Sequence, residues 1–295
     1  MIKKQSQFLL LTFLLAPALI LFTLFVVMPV FQAMYFSLFK WNGLGPLTDF
    51  RGINNFLLLF KNPVFHKALT NNLIIVVISL AIEIPLALYV ALVISRKDFR
   101  LAIFFRTFFF LPYVLSEVIT GLLWQFIYHP QYGLVKSTFA FFAPGVDAPA
   151  LLGNPKTVLG AIMVAIIWKY FGFHMSILIA GLQNISEEVK EAAKIDGASE
   201  GQTTRRIILP LLKPTILISV FFSIIGSFQV FDVIWAMGKG DPVNSAETMV
   251  TFLYKFGIQR GNLGFGSSVA VTIFVVCLTF SLIYNKGLTK SEGSN

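Results

Sequence analysis

Three groups of polar and aromatic residues stand inside long apolar runs of this sequence: Tyr113 with Glu117, Lys169 with Tyr170 and Phe173, and Ser223 with Ser227, Gln229 and Val230. Residues four apart lie on one face of a helix, so Tyr113/Glu117 and Ser223/Ser227 each place two polar groups on a single stripe. A charged or strongly polar side chain is expensive to leave in hydrocarbon and marks a ligand path or a helix contact by default. Together the groups offer directed hydrogen bonds and flat aromatic faces. The competing explanation for each residue is interhelical packing. Glu83 beside Pro85 and Arg106 stay open between interhelical pairs and interfacial anchors, Asp232 lies close to the outer end of the fifth span, and His174 reads as a packed polar residue and not as a proton relay or ligand.

Other chemistries lack their residues. His66, His129 and His174 show no metal-ligand spacing, and the lone Cys277 permits neither an internal disulfide nor a thiolate metal site. No cluster of His, Cys and carboxylate has catalytic spacing. A Gly-x-x-x-x-Gly-Lys-Ser/Thr phosphate loop is also missing, so no catalytic residue and no metal site is expected in this chain.

The elements that hold these residues follow from composition. The chain has 295 residues, 56% hydrophobic and 13% charged, and a soluble core cannot absorb so much apolar surface. About 20 apolar helical residues cross a bilayer. Six stretches qualify, at about 8–30, 71–95, 103–127, 158–182, 215–237 and 267–285. Unbroken runs without short alternating segments predict an all-α integral membrane bundle, not a barrel. The start, Met1-Ile2-Lys3-Lys4 before an apolar run with Ala16-Pro17-Ala18, resembles a signal peptide, but the run continues to Val30 and a retained anchor is expected. The net charge of +9 belongs to loops between spans, so it reports topology and not nucleic-acid binding. Lys3, Lys4, Arg96, Lys97, Arg100, Lys190, Lys194, Arg205 and Arg206 crowd short segments on one side. Positive charge of that density favours both termini in the cytoplasm.

On the outer side, Trp41-Asn42-Gly43-Leu44-Gly45-Pro46 reads as turns, the second loop carries Pro130, Gly133, Pro144 and Gly145, and residues 246–259 read as a short surface helix. The longest inner loop, 184–213, is the most structured. Ser186 is placed to N-cap a helix whose first turn holds Glu187 and Glu188. Gly197 is placed to end it in a left-handed turn. Ser199-Glu200-Gly201-Gln202 fits a capping box for a second short helix, and Pro210 and Pro214 punctuate the return to the membrane.

That loop carries a recognisable pattern. Glu191-Ala192-Ala193, three intervening residues, Gly197, and then Ile208-Leu209-Pro210 resemble the EAA loop of ABC importer permeases. Trp41-Asn42-Gly43 before Gly52-Ile53-Asn54-Asn55-Phe56, Phe110-Leu111-Pro112-Tyr113, and Phe231-Asp232-Val233-Ile234 with Glu247-Thr248 are similar to sugar-importer permeases. They resemble the first permease of the maltose, oligosaccharide and glycerol-3-phosphate branch. The large outer domain of the enteric maltose permease has no counterpart here.

The resemblance implies a single permease domain of the type I ABC importer fold, in a bacterial cytoplasmic (inner) membrane. It implies a heterodimer with a second permease, two copies of a cytoplasmic ATPase that bind ATP and Mg, and an extracytoplasmic sugar-binding protein. This chain itself would carry no cofactor. Glu191, Ala192, Ala193, Asp196 and Gly197 would couple to the ATPase, with Glu191 meeting a basic group there. Tyr113, Glu117, Lys169, Tyr170, Phe173, Ser223, Ser227, Gln229 and Val230 would line the sugar path. An ion-driven secondary transporter would instead show pseudo-repeated halves with broken helices, and none is visible in the sequence.

Overall fold

A computed structural model of the chain describes residues 2–96, 100–143, 145 and 147–292. Met1, Lys97 and Pro144, named above, lie outside the described residues. Among the described residues five helices are long and apolar enough to cross a membrane, or six if one sharply bent pair counts as a single span. No strand forms among them beyond an isolated antiparallel bridge between Phe39 and Phe50. The chain divides into two compact units, residues up to Pro63 with Phe252–Thr279, and Val64–Thr251 with the chain from Phe280 onward.

The first unit holds helix α1 (Thr12–Phe36), whose apolar side chains are not buried within the chain. A turn-rich loop follows, closed by Asn55 of α2 (Asn54–Lys61). The Asn55 amide donates to the carbonyls of Ser37 and Phe39, both at 2.8 Å. The neighbouring Arg51 donates to Asp49, and this bond holds the Asp49 carboxyl below its usual range. The final helix begins against the same loop: a β-carbon at Gly264 would overlap the Phe39 carbonyl oxygen.

The second unit is built on α3 (Pro63–Ile94), α4 (Ala102–Val114), α5 (Glu117–Ile127), the outer helix α6 (Leu134–Phe142), α7 (Val158–Gln183), α8 (Glu187–Ile195), α9 (Glu200–Gln229) and α10 (Asp232–Gly238). The short α11 (Met249–Ile258) and α12 (Leu263–Glu292) complete the chain. The central α7 buries residues along its whole length. Ile162, Ala165 and Ile166 join Val233, Ile234 and Met237 in one cluster, and Met175, Leu178 and Leu182 join Ala87, Ala91 and Leu212 in another.

Three features depart from the apolar-run reading. First, the stretch at 103–127 is not straight: α4 and α5 are bent by 99° around Leu115 and Ser116. Leu115 is extended, and Ser116 caps α5 by accepting from the Ile119 amide at 3.2 Å. Tyr113 and Glu117 therefore flank a break and do not share one helical stripe. Second, the stretch at 215–237 stops at Gln229, where Val230 turns extended before α10. At its other end no separate second helix forms in the inner loop, because α9 runs unbroken from Glu200 through Pro210 and Pro214. Third, a helix forms within 246–259, at Met249–Ile258, but the first part of the segment is not at the surface: Ala246, Glu247, Thr248, Met249 and Thr251 are buried, and exposure returns at Ile258 and Gln259.

The prolines explain the continuity. Pro29, Pro85 and Pro210 each follow a widened i→i+5 turn, at Thr23–Val27, Ser79–Glu83 and Thr204–Ile208. A helical proline lacks an N–H and its ring presses on the carbonyl four residues back. A π-turn widens the backbone there, so the helix bends without ending.

Candidate functional site

The break between α4 and α5 frees carbonyls that a continuous helix would have used, and unpaired backbone groups away from water are costly. Lys169 of α7 takes them. Its amine donates to Leu115 O at 2.6 Å and to Tyr113 O at 3.5 Å, and lies 5.9 Å and 5.6 Å from the ring centres of Tyr113 and Tyr170. Tyr170 donates its hydroxyl to the Glu117 carboxylate at the start of α5. One turn further along α7, Gly172 lets α4 approach closely; a β-carbon there would overlap the Phe109 carbonyl oxygen.

This arrangement fixes one wall of a cavity of about 140 Å³ in the second unit. Tyr113, Tyr170 and Phe173 supply aromatic surface, with the Tyr113 and Phe173 rings stacked at 4.8 Å. The facing side is the last part of α9, with Phe222, Ser223, Gly226, Ser227 and Val230. Ser227 donates to Ser223 O at 2.7 Å, whereas the buried Ser223 hydroxyl has no hydrogen-bond partner. The break after Gln229 is held by Asn72 of α3, whose amide donates to Ser227 O at 2.6 Å and whose Oδ1 accepts from Met249 N at 2.9 Å. Asn71 donates to Ser245 O and Glu247 O, tying the buried loop to the same helix.

Of the residues singled out in the sequence, Tyr113, Tyr170, Phe173, Ser223, Ser227 and Val230 line this cavity. Glu117 and Lys169 stand behind it, holding Tyr170 and the helix break. Gln229 is exposed at the end of α9 and is not among the lining residues. The cavity also takes Ser79 and Glu83 from the π-turn of α3, and His174 from α7. The sequence showed Glu83 as a carboxylate beside Pro85 in an apolar run, but not where it points. Arg106 is not part of this lining.

The second candidate element is α8. Ser186 occupies its N-cap with extended backbone but makes no side-chain cap bond; Glu187 instead accepts from Lys190 at 2.9 Å. The C-terminus closes as a Schellman motif: Gly197 has φ 78°, Ala198 N donates to Ala193 O at 2.9 Å, and Gly197 N donates to Lys194 O at 3.1 Å. The Ser199/Gln202 capping box then starts α9 with both of its hydrogen bonds formed. Glu191, Ala192, Asp196 and Gly197 are exposed on this short rigid helix, while Ala193 faces inward. The apolar Ile195 is 86% exposed. Among the described residues no group of His, Cys, Asp and Glu could hold a metal ion.

Residues 83–286 match the family described as binding-protein-dependent transport system inner membrane component. The chain belongs to this family. The permease is 35% identical over 275 residues to the probable ABC transporter permease protein YurN of Bacillus subtilis, covering 92% of this chain and 93% of that relative. It is 31% identical over 275 residues to the sulfoquinovosyl glycerol transport system permease protein SmoG of Agrobacterium fabrum, covering 92% and 87%. A chain in the crystal structure of a bacterial alginate ABC transporter, in complex with an alginate pentasaccharide-bound periplasmic protein, superposes with a TM-score of 0.84. That match has 25% identity and covers 96% of this chain and 95% of that one. The permease is thus a multi-pass inner membrane component of a transport system and not an enzyme.

Proposed function

We propose that the permease forms half of the translocation pathway of an ATP-driven sugar importer. The observation that carries this reading is the cavity, where a stacked Tyr113–Phe173 platform faces the unbonded hydroxyl of Ser223. Aromatic faces suit the C–H surfaces of a sugar and free hydroxyls suit its polar edges. The carbohydrate cargoes named for the SmoG and alginate systems support the same class. The whole chain acts as one permease domain, and a second permease supplies the opposite wall. Two copies of a cytoplasmic ATPase bind ATP and Mg, and an extracytoplasmic binding protein delivers the sugar. Helix α8, with Glu191, Ala192, Ala193, Asp196 and Gly197, couples to the ATPase; its Schellman turn and the capping box that follows join it to α9, so that the two can move as one body. Both termini lie in the cytoplasm of a bacterial cell. Deleting the gene tests the reading. Uptake of at least one labelled sugar is lost and is restored by the wild-type gene, and tagged permease co-purifies with an ATPase and a second permease. Unchanged uptake of every sugar tried, with no ATPase in the purified material, contradicts it.

A further inference from the structure

Glu83 is the one carboxylate among the described residues that line the cavity, and its side chain is 2% exposed. The π-turn ahead of Pro85 displaces it from the regular helical ladder and carries it, with Ser79, to the cavity wall. Its Oε1 has no hydrogen-bond partner; the nearest cation-capable group, His174 Nε2, is 3.8 Å away, beyond hydrogen-bond reach. His174 is engaged elsewhere, through Nδ1 and the Ser219 hydroxyl at 2.8 Å. The unpartnered Ser223 hydroxyl lines the same space. A buried acceptor left open is costly unless something fills its bond. The remaining titratable lining groups are Tyr113, Tyr170 and His174, and no lysine or arginine lines the cavity among the described residues. The nearby Lys169 amine is committed to the carbonyls of the α4–α5 break.

Resting on the sugar-importer reading, we propose that Glu83 is a specificity-determining acceptor for the cargo. It receives a hydrogen bond from a hydroxyl of the sugar at its open Oε1, with Ser223 contacting the same unit, so that a sugar lacking a hydroxyl at that place is disfavoured.

The test uses cells of the source strain lacking the chromosomal gene, so that all partner subunits are present. They are complemented with wild type, Glu83→Gln, Glu83→Ala or Ser223→Ala. Uptake of labelled maltose, lactose, trehalose and diacetylchitobiose is measured at saturating external sugar, where passage and not capture limits the rate. Wild type should restore a neutral sugar. Glu83→Ala should lower its uptake by up to about tenfold, as expected for losing one buried hydrogen bond. Glu83→Gln, equal in size and still able to accept, should keep uptake of that sugar closer to wild type than Glu83→Ala does. Ser223→Ala should slow the same neutral sugar. Permease abundance and ATPase association should hold in Glu83→Gln, a pattern that a merely structural Glu83–His174 contact does not produce. Rates within twofold of wild type in both Glu83 variants, a Glu83→Gln rate no better than that of Glu83→Ala, or loss of both variants from the membrane would each overturn the proposal. Failure of wild type to restore any sugar overturns the importer reading itself.

Discussion

Replacing Lys169 by methionine keeps an unbranched stem of similar length and removes the amine that bridges the broken third span. Two effects oppose each other. Removing a buried cation relieves desolvation, and whole buried ion pairs are often replaced by apolar residues without loss. Here, however, the partners are the backbone carbonyls of Leu115 and Tyr113, which stay where they are. The 2.6 Å bond to Leu115 O dominates; the 3.5 Å contact to Tyr113 O is at the limit of a hydrogen bond. A hydrogen bond to a charged group contributes about 1.5–3 kcal/mol, and an orphaned buried acceptor costs about 1–3 kcal/mol. Loss of the amine also removes its attraction to the Tyr113 and Tyr170 rings, about 0.5–1 kcal/mol each at modest desolvation. Allowing for the relief of desolvation, the net loss is on the order of 2 kcal/mol. At roughly 2–4 °C per kcal/mol, Lys169→Met should lower the apparent Tm of the detergent-solubilised complex by about 4–8 °C. Sugar uptake should fall with it, because the bend positions Tyr113. A Tm within about 1 °C of wild type, with unchanged uptake, would refute the assignment of Lys169 as the residue that caps the break.

Gly197→Val forces a β-branched residue to φ 78° and should cost the left-handed turn roughly 1–2 kcal/mol; transport-linked ATPase activity should drop, as it should in Glu191→Lys. Normal stimulation in both variants would remove α8 from the coupling role. Asn72→Leu strands Ser227 O and Met249 N, two buried groups at about 1–3 kcal/mol each, so membrane abundance of the permease should fall, read by immunoblot against wild type. Gly172→Leu drives a side chain into the Phe109 carbonyl and should destabilise by at least the roughly 1–3 kcal/mol typical of overpacking, seen as a lowered Tm. In a Cys277→Ser background, cysteines at Asn42 and Gly145 should react with an impermeant reagent from outside, and one at Ser199 should not; the reverse pattern would invert the topology.

Run length showed where the chain is apolar enough to cross a bilayer, and the structure has helices at each of those places. Run length cannot show a break, because Leu115 and Val230 are as apolar as their neighbours. The signals at the first break were local: Pro112, then Ser116 as N-cap and Glu117 in a first turn, the pattern that starts a helix. The error at Pro210 runs the other way. A proline reads as a stop, but a π-turn set two residues before it lets α9 continue, and only the backbone hydrogen bonding shows that. The local structure of the inner loop around Gly197 was legible because its determinants are local: a left-handed glycine, a capping box and acidic residues in a first turn each depend on residues within one turn. Glu83, Ser79 and His174 were not, since the cavity depends on how α3, α7 and α9 pack. Asn71 and Asn72 stand at the start of the second apolar stretch. Their role in holding a loop more than 150 residues away in sequence is tertiary.

The central claim is that this permease passes sugar at the expense of ATP hydrolysed by its partners. The most direct measurement is uptake of a labelled sugar into proteoliposomes containing the complex purified through this chain, with binding protein outside and ATP enclosed. The account predicts accumulation that requires both ATP and binding protein and collapses in Glu191→Lys. Accumulation that proceeds without ATP on an imposed ion gradient would contradict it.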